Sequence, residues 1–378
     1  MGSKGSSRRR LGIGLIALLL LVALTVAACG GGSGSSSSTT ESEPAGGEPV
    51  ADTSEGGETV SIDVGEGMSV EVPKGEKPKI GFFSTSGNTY VTGMIKGAEK
   101  AAKENGASAE LLDSQFDATK QYEQLQNALQ SKKYNAWVVT PFDEHLLCNI
   151  LSKEAPEANI LVAITILPVC GRGLKPAGEE LWQPGTLTMV GGENTVDYKV
   201  GWVEEILEHL GPNEKVALVT GPTVGNNTET MTAAIEQFPE LQKAMVAEVS
   251  TDFTTPDSLA KTQTLLKANP DITAIISLFS DTTRGIVEAL KEAGMSEQVK
   301  VFDIGASSYA VEAVEKGEIE STIPYAPVKE GEVAVESIVK AFEGQKVPRF
   351  IDVFPPDGSV TKPLWIDKSN AAEYQAEY

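Results

Sequence analysis

The residue types that carry nucleophilic, metal or redox chemistry are scarce in this chain and poorly spaced for it. Of its 378 residues, two are histidine and three are cysteine. His145 and His209 stand alone, with no His-Glu-x-x-His spacing and no partner cysteine nearby, and a helix-surface position explains each. So few histidines and cysteines fall short of most zinc sites, and no Cys-x-x-Cys pair is present for redox work. No Gly-x-Ser-x-Gly occurs, so there is no nucleophile elbow. Gly171-Arg172-Gly173 lacks the remaining glycine of a dinucleotide loop and does not open a helix, and no Walker-type phosphate loop exists. These absences predict a protein that is not an enzyme and uses no cofactor or metal. What the chain does hold is a series of small polar loops: Ser84 to Tyr90, Thr140-Pro141-Phe142-Asp143, Gly221 to Asn227, Ser280-Asp281-Thr282 and Gly305 to Ser308. Short polar side chains at such places leave helix N-termini open to a ligand.

Each of those loops follows a short apolar run. The runs read as strands at Lys79–Phe83, Ala109–Asp113, Ala136–Thr140, Ile160–Ile166, Leu187–Val190, Lys215–Thr220, Val246–Ser250, Ile272–Leu278, Val299–Ile304 and Glu320–Ile323. Segments of helical period lie between them. In Tyr90–Asn105, Val91, Met94, Ala98, Ala101 and Ala102 share one face, and Gly106 is a stop. Thr255-Pro256 reads as an N-cap followed by a first-turn proline, opening a helix to about Ala268. Further helices are expected from Thr282 to Gly294 and from Lys329 to Glu343. Strand and helix alternating this often imply an α/β fold with parallel sheets covered on both faces. About ten strands are too many for one core, so two open sheets of roughly five strands are expected. Ligands in such folds bind beyond the carboxyl ends of the strands. Trp137 and Trp202 fall inside elements and read as core.

Composition agrees: 40% hydrophobic and 22% charged residues is ordinary for a globular protein. The 31 basic and 53 acidic residues leave a net charge of −22, which argues against nucleic-acid phosphates as partners. The N-terminus reads as an export signal. Lys4, Arg8, Arg9 and Arg10 precede an uncharged apolar run from Leu11 to Ala28 that ends in Val26-Ala27-Ala28-Cys29-Gly30. That ending resembles the lipobox of bacterial lipoproteins, which implies cleavage and a lipidated Cys29; a plain membrane anchor is the other reading. Residues 30–77 carry ten acidic and two basic residues and read as a disordered acidic Gly/Ser tether. Within it, Val60, Ile62, Val64 and Met68, Val70, Val72 alternate around Gly65-Glu66-Gly67 in the pattern of a small hairpin. Once Cys29 is lipidated, Cys148 and Cys170 remain. Outside the cytoplasm their simplest state is a disulfide, the alternative being two buried thiols.

The order of motifs from about Lys79 to Val347 resembles the type I periplasmic sugar-binding proteins, with ribose-binding proteins as archetype. The resemblance rests on Asn88-x-Tyr90 after a Ser/Gly turn, then Gly97-Ala98-Glu99-Lys100-Ala101-Ala102-Lys103-Glu104-Asn105-Gly106. It continues through Lys120-Gln121, Gln126-Asn127-Ala128-Leu129, Val138-Val139-Thr140-Pro141 and Gly192-Glu193-Asn194. Leu278-Phe279-Ser280-Asp281, Ala289-Leu290-Lys291-Glu292-Ala293-Gly294 and Ser321-Thr322-Ile323 complete it. The resemblance implies two Rossmann-like lobes joined by a three-strand hinge, residues 78–192 plus 326–350 forming the first and 193–325 plus 351–378 the second. It further implies a monomer that captures a small solute, by hinge closure, for the permease subunits of an ABC importer at the outer face of a bacterial membrane. A receptor subunit reporting to a membrane kinase or chemoreceptor is the alternative. Repressors that share the fold need an N-terminal DNA-binding motif, and a signal and tether stand there instead.

The resemblance places solute contacts at Asn88 and Tyr90 in the first loop, Asn227 where relatives carry an arginine clamp, and Ser280 and Asp281 after the eighth strand. Each has a plainer role as turn former, core aromatic or helix cap. Phe142 sits in a loop on the same side and could pack on the solute. Three departures stand out. Thr165-Ile166-Leu167-Pro168 replaces an Asp-Arg pair. The ninth strand reads Asp303-Ile304-Gly305, with Gly305 where a ligand-facing carboxylate is usual. Tyr325 occupies the hinge glutamine position. Together they predict a solute that is sugar-like but less hydroxylated or partly aromatic. The stretch Pro168–Pro184, with Cys170, Arg172 and Trp182, either covers the cleft mouth or forms a surface excursion pinned by the disulfide.

Overall fold

A computed structural model of the chain describes residues 58–222, 227–354, 358–359 and 361–378. The export signal, Cys29, the tether up to residue 57 and Thr223 to Asn226 of the Gly221 loop lie outside the described residues. The described chain opens on an antiparallel hairpin of β1 (Thr59–Gly65) and β2 (Met68–Pro73). The division that placed all of residues 30–77 in a disordered tether is therefore corrected from residue 58 onward. Alternation drives this: Ile62, Val64, Val70 and Val72 turn inward and are buried, and that apolar face repays the ordering of the backbone.

The first sheet contains β3 (Lys79–Ser84), β4 (Ser108–Asp113), β5 (Ala136–Val139), β6 (Leu161–Thr165) and β7 (Thr188–Val190). The second contains β8 (Val216–Thr220), β9 (Met245–Ser250), β10 (Ala274–Ser277), β11 (Lys300–Gly305) and β12 (Ser321–Pro324). All ten expected strands are present. A further strand, β13 (Phe350–Ile351), pairs with β7 at the edge of the first sheet. The spatial orders are β13-β7-β6-β5-β3-β4 and β12-β11-β10-β8-β9, and every pairing within them is parallel. The central strands are buried at every position, Ala136–Val139 and Val216–Thr220 among them. Continuous apolar runs are what a parallel sheet covered on both faces requires.

The chain passes between the sheets three times. It leaves β7 for the helix Val196–His209, whose Tyr198 hydroxyl donates to Pro324 O at 2.5 Å in the second lobe. It leaves β12 for the helix Pro327–Phe342, which packs along the first-lobe helix Thr89–Glu104. After β13 it returns to the second lobe, where Ile366 bridges Thr322. Side-chain caps fix the helix starts: Asn88 accepts from Val91 N, Thr195 from Tyr198 N and Ser307 from Ala310 N. Thr254, one residue before the expected position, caps Thr255–Ala268.

Cys148 and Cys170 are joined in a disulfide. The excursion that follows reaches the first turn of the helix Val196–His209, where Ala177 N donates to Asp197 Oδ2 at 2.9 Å. Arg172 donates to Gln183 and to Glu180 O, and the Trp182 ring packs under Arg349 and beside Gly65 of the hairpin. Trp137 and Trp202 are fully buried. His209 ends a helix, stacked on Trp365, whereas His145 sits exposed in a turn rather than on a helix.

Candidate functional site

A cavity of about 100 Å³ lies between the two sheets, beyond the carboxyl ends of their strands. Asn88 caps the helix after β3 through its Oδ1, 2.9 Å from Val91 N, and this cap sets Tyr90 in the first turn with its ring inward. The loop after β5 is held by buried Gln121, which donates to Thr140 O at 2.8 Å and accepts from Phe142 N at 3.0 Å. Phe142 then meets Phe116, from the loop after β4, at 5.4 Å between ring centres. Ile166 and Leu167 follow β6, and Glu193 and Asn194 follow β7. From the second lobe come Phe253 after β9, Phe279 after β10, Asn227 at the start of the helix Asn227–Ile235, and Tyr325 after β12. Phe253 and Phe279 meet edge to face at 5.3 Å. Gly221 allows this, since a Cβ there would lie 1.8 Å from the Phe253 ring.

Six aromatic rings therefore wall the cavity: Tyr90, Phe116, Phe142, Phe253, Phe279 and Tyr325. Five of the expected contact residues line it, namely Asn88, Tyr90, Phe142, Asn227 and Tyr325. Ser280, Asp281 and Gly305 do not. The Ser280 hydroxyl turns away to donate to Asp303 Oδ2 at 3.0 Å, and Gly305 O accepts the Tyr378 hydroxyl at 3.0 Å. Asp281 instead spans the lobes, its Oδ2 accepting from Thr89 N at 3.3 Å and from Thr89 Oγ1 at 3.2 Å. It thus acts on the first turn of the first-lobe helix, where a carboxylate complements the helix dipole. Arg172 and Trp182 are not among the lining residues.

The polar centre of the site was not legible as such. Tyr90 OH lies 2.9 Å from Glu193 Oε1 and also contacts Glu330 Oε2, while Ile166 N donates to Glu330 Oε1 at 2.7 Å. Glu193 is at the first crossing between lobes, Glu330 just past the second, and both are buried. A phenol has one proton to donate, so two carboxyls on one hydroxyl oxygen require that one of them be protonated. Burial, then the charge of Glu193, pushes Glu330 well above the usual carboxylate range. Burial raises Glu193 as well, opposed by its own backbone N–H, the Tyr90 hydrogen bond and the charge of Lys199. Lys199 is itself fully buried, donates to Tyr325 OH at 2.8 Å, and is pushed down to about 7 by burial. Ile166 adopts φ +63°, a left-handed conformation that a β-branched residue holds only under constraint. The hydrogen bond from its amide to Glu330 supplies that constraint.

A model of the periplasmic binding protein domain matches residues 81–346. The ribose import binding protein of Bacillus subtilis is 24% identical over 303 residues, covering 78% of this chain and 94% of that protein. Its counterpart in Escherichia coli is 27% identical over 265 residues, covering 70% and 84%. A solute-binding protein of an ABC transporter from Bacillus halodurans, solved with bound myo-inositol, superposes with a TM-score of 0.66 at 20% identity, covering 81% of this chain and all of that one.

Proposed function

The chain belongs to the periplasmic binding protein domain family, and from that premise we propose that it is the extracytoplasmic solute-binding subunit of an ABC importer. The observation that carries the proposal is the cavity itself, whose walls come from the strand ends of both sheets and from the segments that cross between them. A solute seated there touches both lobes only when they are together, so it favours the closed state by the difference in its affinity for the two. The two ribose import proteins, and the neighbour that holds myo-inositol, support a small ring as the solute. The largely apolar walls favour one with fewer hydroxyls than ribose.

The N-terminal segment supports a lipid anchor on Cys29, with the acidic stretch up to residue 57 as tether. The test is thermal unfolding of the protein against a panel of sugars, polyols, nucleosides and small aromatics. A solute at about 100 times its Kd adds roughly 2.7 kcal/mol, which at about 2 °C per kcal/mol raises Tm by about 5 °C. Deleting the gene should then abolish cellular uptake of the stabilising solute. A panel without any stabiliser, or uptake unaffected by deletion, refutes the proposal.

A further inference from the structure

On the reading just given, the cavity wall narrows the class of solute through the polar atoms it has left to offer. A sugar can lay the flat face of its ring on an aromatic side chain, so the six rings of the wall do not by themselves exclude one. Its edge decides. Hydroxyls project all round a sugar, and each one buried without a partner is costly.

The polar side chains of the wall are mostly spent on one another or on the backbone. The Thr140 hydroxyl is paired with that of Thr165 at 2.8 Å. The Tyr90 hydroxyl lies between Glu193 and Glu330, and that of Tyr325 accepts from Lys199 at 2.8 Å. Glu193 Oε2 and the Oδ1 atoms of Asn194 and Asn227 are buried, so a solute in the cavity does not reach them. Asn88 Oδ1 is taken by Val91 N. Half-buried Asn88 and Asn227 thus keep little beyond their amide nitrogens. No lysine, arginine or histidine is among the described lining residues. That capacity suits one polar substituent and not a ring of hydroxyls.

The apolar part of the wall is built from ring pairs. Phe116 and Phe142 of the first lobe meet at 5.4 Å with their planes tilted by 41°, and Phe253 and Phe279 of the second meet at 5.3 Å and 69°. Both spacings fall in the range of about 4.5–7 Å over which aromatic rings attract one another. The free space is about 100 Å³. A cavity of about 150 Å³ walled by Leu, Ile and Phe takes up benzene, so this one has room for a single small ring and not for two.

We propose that the captured solute is a small neutral aromatic molecule of one ring with a single polar substituent. The ring packs against the Phe116–Phe142 pair of one lobe and the Phe253–Phe279 pair of the other, and the substituent takes its hydrogen bond from Asn88 or Asn227. Each lobe supplies one pair, so the contact is complete only when the lobes are together.

The test is equilibrium dialysis of the full chain in detergent, with empty micelles as the blank. Phenol, acetophenone and methoxybenzene are compared with ribose, myo-inositol and cyclohexanol, the last matching phenol in size and hydroxyl but lacking the aromatic face. At least one aromatic compound should bind about tenfold or more tighter than ribose and myo-inositol, and tighter than cyclohexanol. Phe142→Leu and Phe253→Leu, one in each lobe, should each weaken that compound roughly two- to tenfold; should one variant not fold, the other serves. A smaller advantage over the two polyols, or none over cyclohexanol, overturns the proposal, as does aromatic binding that neither variant weakens. If ribose or myo-inositol is what binds, solute capture stands and only the class is wrong. If nothing binds, the class proposed here falls, and the uptake experiment on the deleted gene decides the reading on which it rests.

Discussion

Asp303 gives a test of how the second lobe is held together beneath the cavity. It has no solvent exposure and accepts from the hydroxyls of Ser280 at 3.0 Å, Thr322 at 2.6 Å, and Thr283. Despite these donors, burial pushes its carboxyl up to about 6. In the unfolded chain an aspartate titrates near 3.9, so the folded state binds the proton more tightly. The stability this provides is complete below about pH 4 and is lost as pH rises through about 6. A difference of roughly 2 units at 1.36 kcal/mol per unit makes that loss about 3 kcal/mol by neutral pH. Asp303→Asn keeps the shape, and its amide can donate to the Thr283 hydroxyl, which turns its own proton to Phe279 O at 3.1 Å. The variant has no charge to bury. Its stability relative to wild type should therefore climb by about 3 kcal/mol between about pH 4 and pH 7, read from urea unfolding followed by circular dichroism. Taking the difference cancels every other group that titrates in this range. A difference independent of pH would refute the assignment of the buried charge to Asp303. A difference that falls with pH would show that three hydroxyl donors outweigh burial, reversing the sign argued here.

Two further outcomes follow from contacts between elements. Asp281→Ala removes both contacts to Thr89 across the lobes; at about 0.5–1.5 kcal/mol for such hydrogen bonds, the Kd for a stabilising solute should rise roughly two- to tenfold. Calorimetry of that variant showing unchanged affinity would mean the Asp281 clasp plays no part in the closed state. Gly331→Ala places a Cβ 1.9 Å from Met94 O, where the helices Pro327–Phe342 and Thr89–Glu104 meet. Forcing that pair apart should cost about 1–3 kcal/mol, measured as a lower urea midpoint, and wild-type stability would refute the close approach.

The sheets were legible because a parallel strand buried on both faces has to be apolar throughout, and Leu161–Thr165 and Ala274–Ser277 are such runs bounded by polar loops. The hairpin was half legible: its alternation was plain, but the polar composition upstream of Glu58 carried the tether reading across it. At the site, Phe142 could be found because strand-end loops point to the cleft, whereas Asn88, Tyr90 and Tyr325 were marked by the family resemblance. Glu193, Glu330 and Lys199 could not, since a charged residue near a helix start reads as solvated surface. A signal was nonetheless present. Glu330 heads the stripe Ala334, Ile338, Phe342 at helical spacing, and Lys199 shares a stripe with Val203 and Ile206, all of them buried. A charge in register with an apolar stripe, next to a crossing between lobes, has to find its partner inside the protein. The departures at Thr165 to Pro168 and at Gly305 had already removed charged groups from the strand ends, while Tyr325 replaces a neutral amide. The structure puts a carboxyl back, at Glu193 on the hinge, where one oxygen lies 2.9 Å from the Tyr90 hydroxyl.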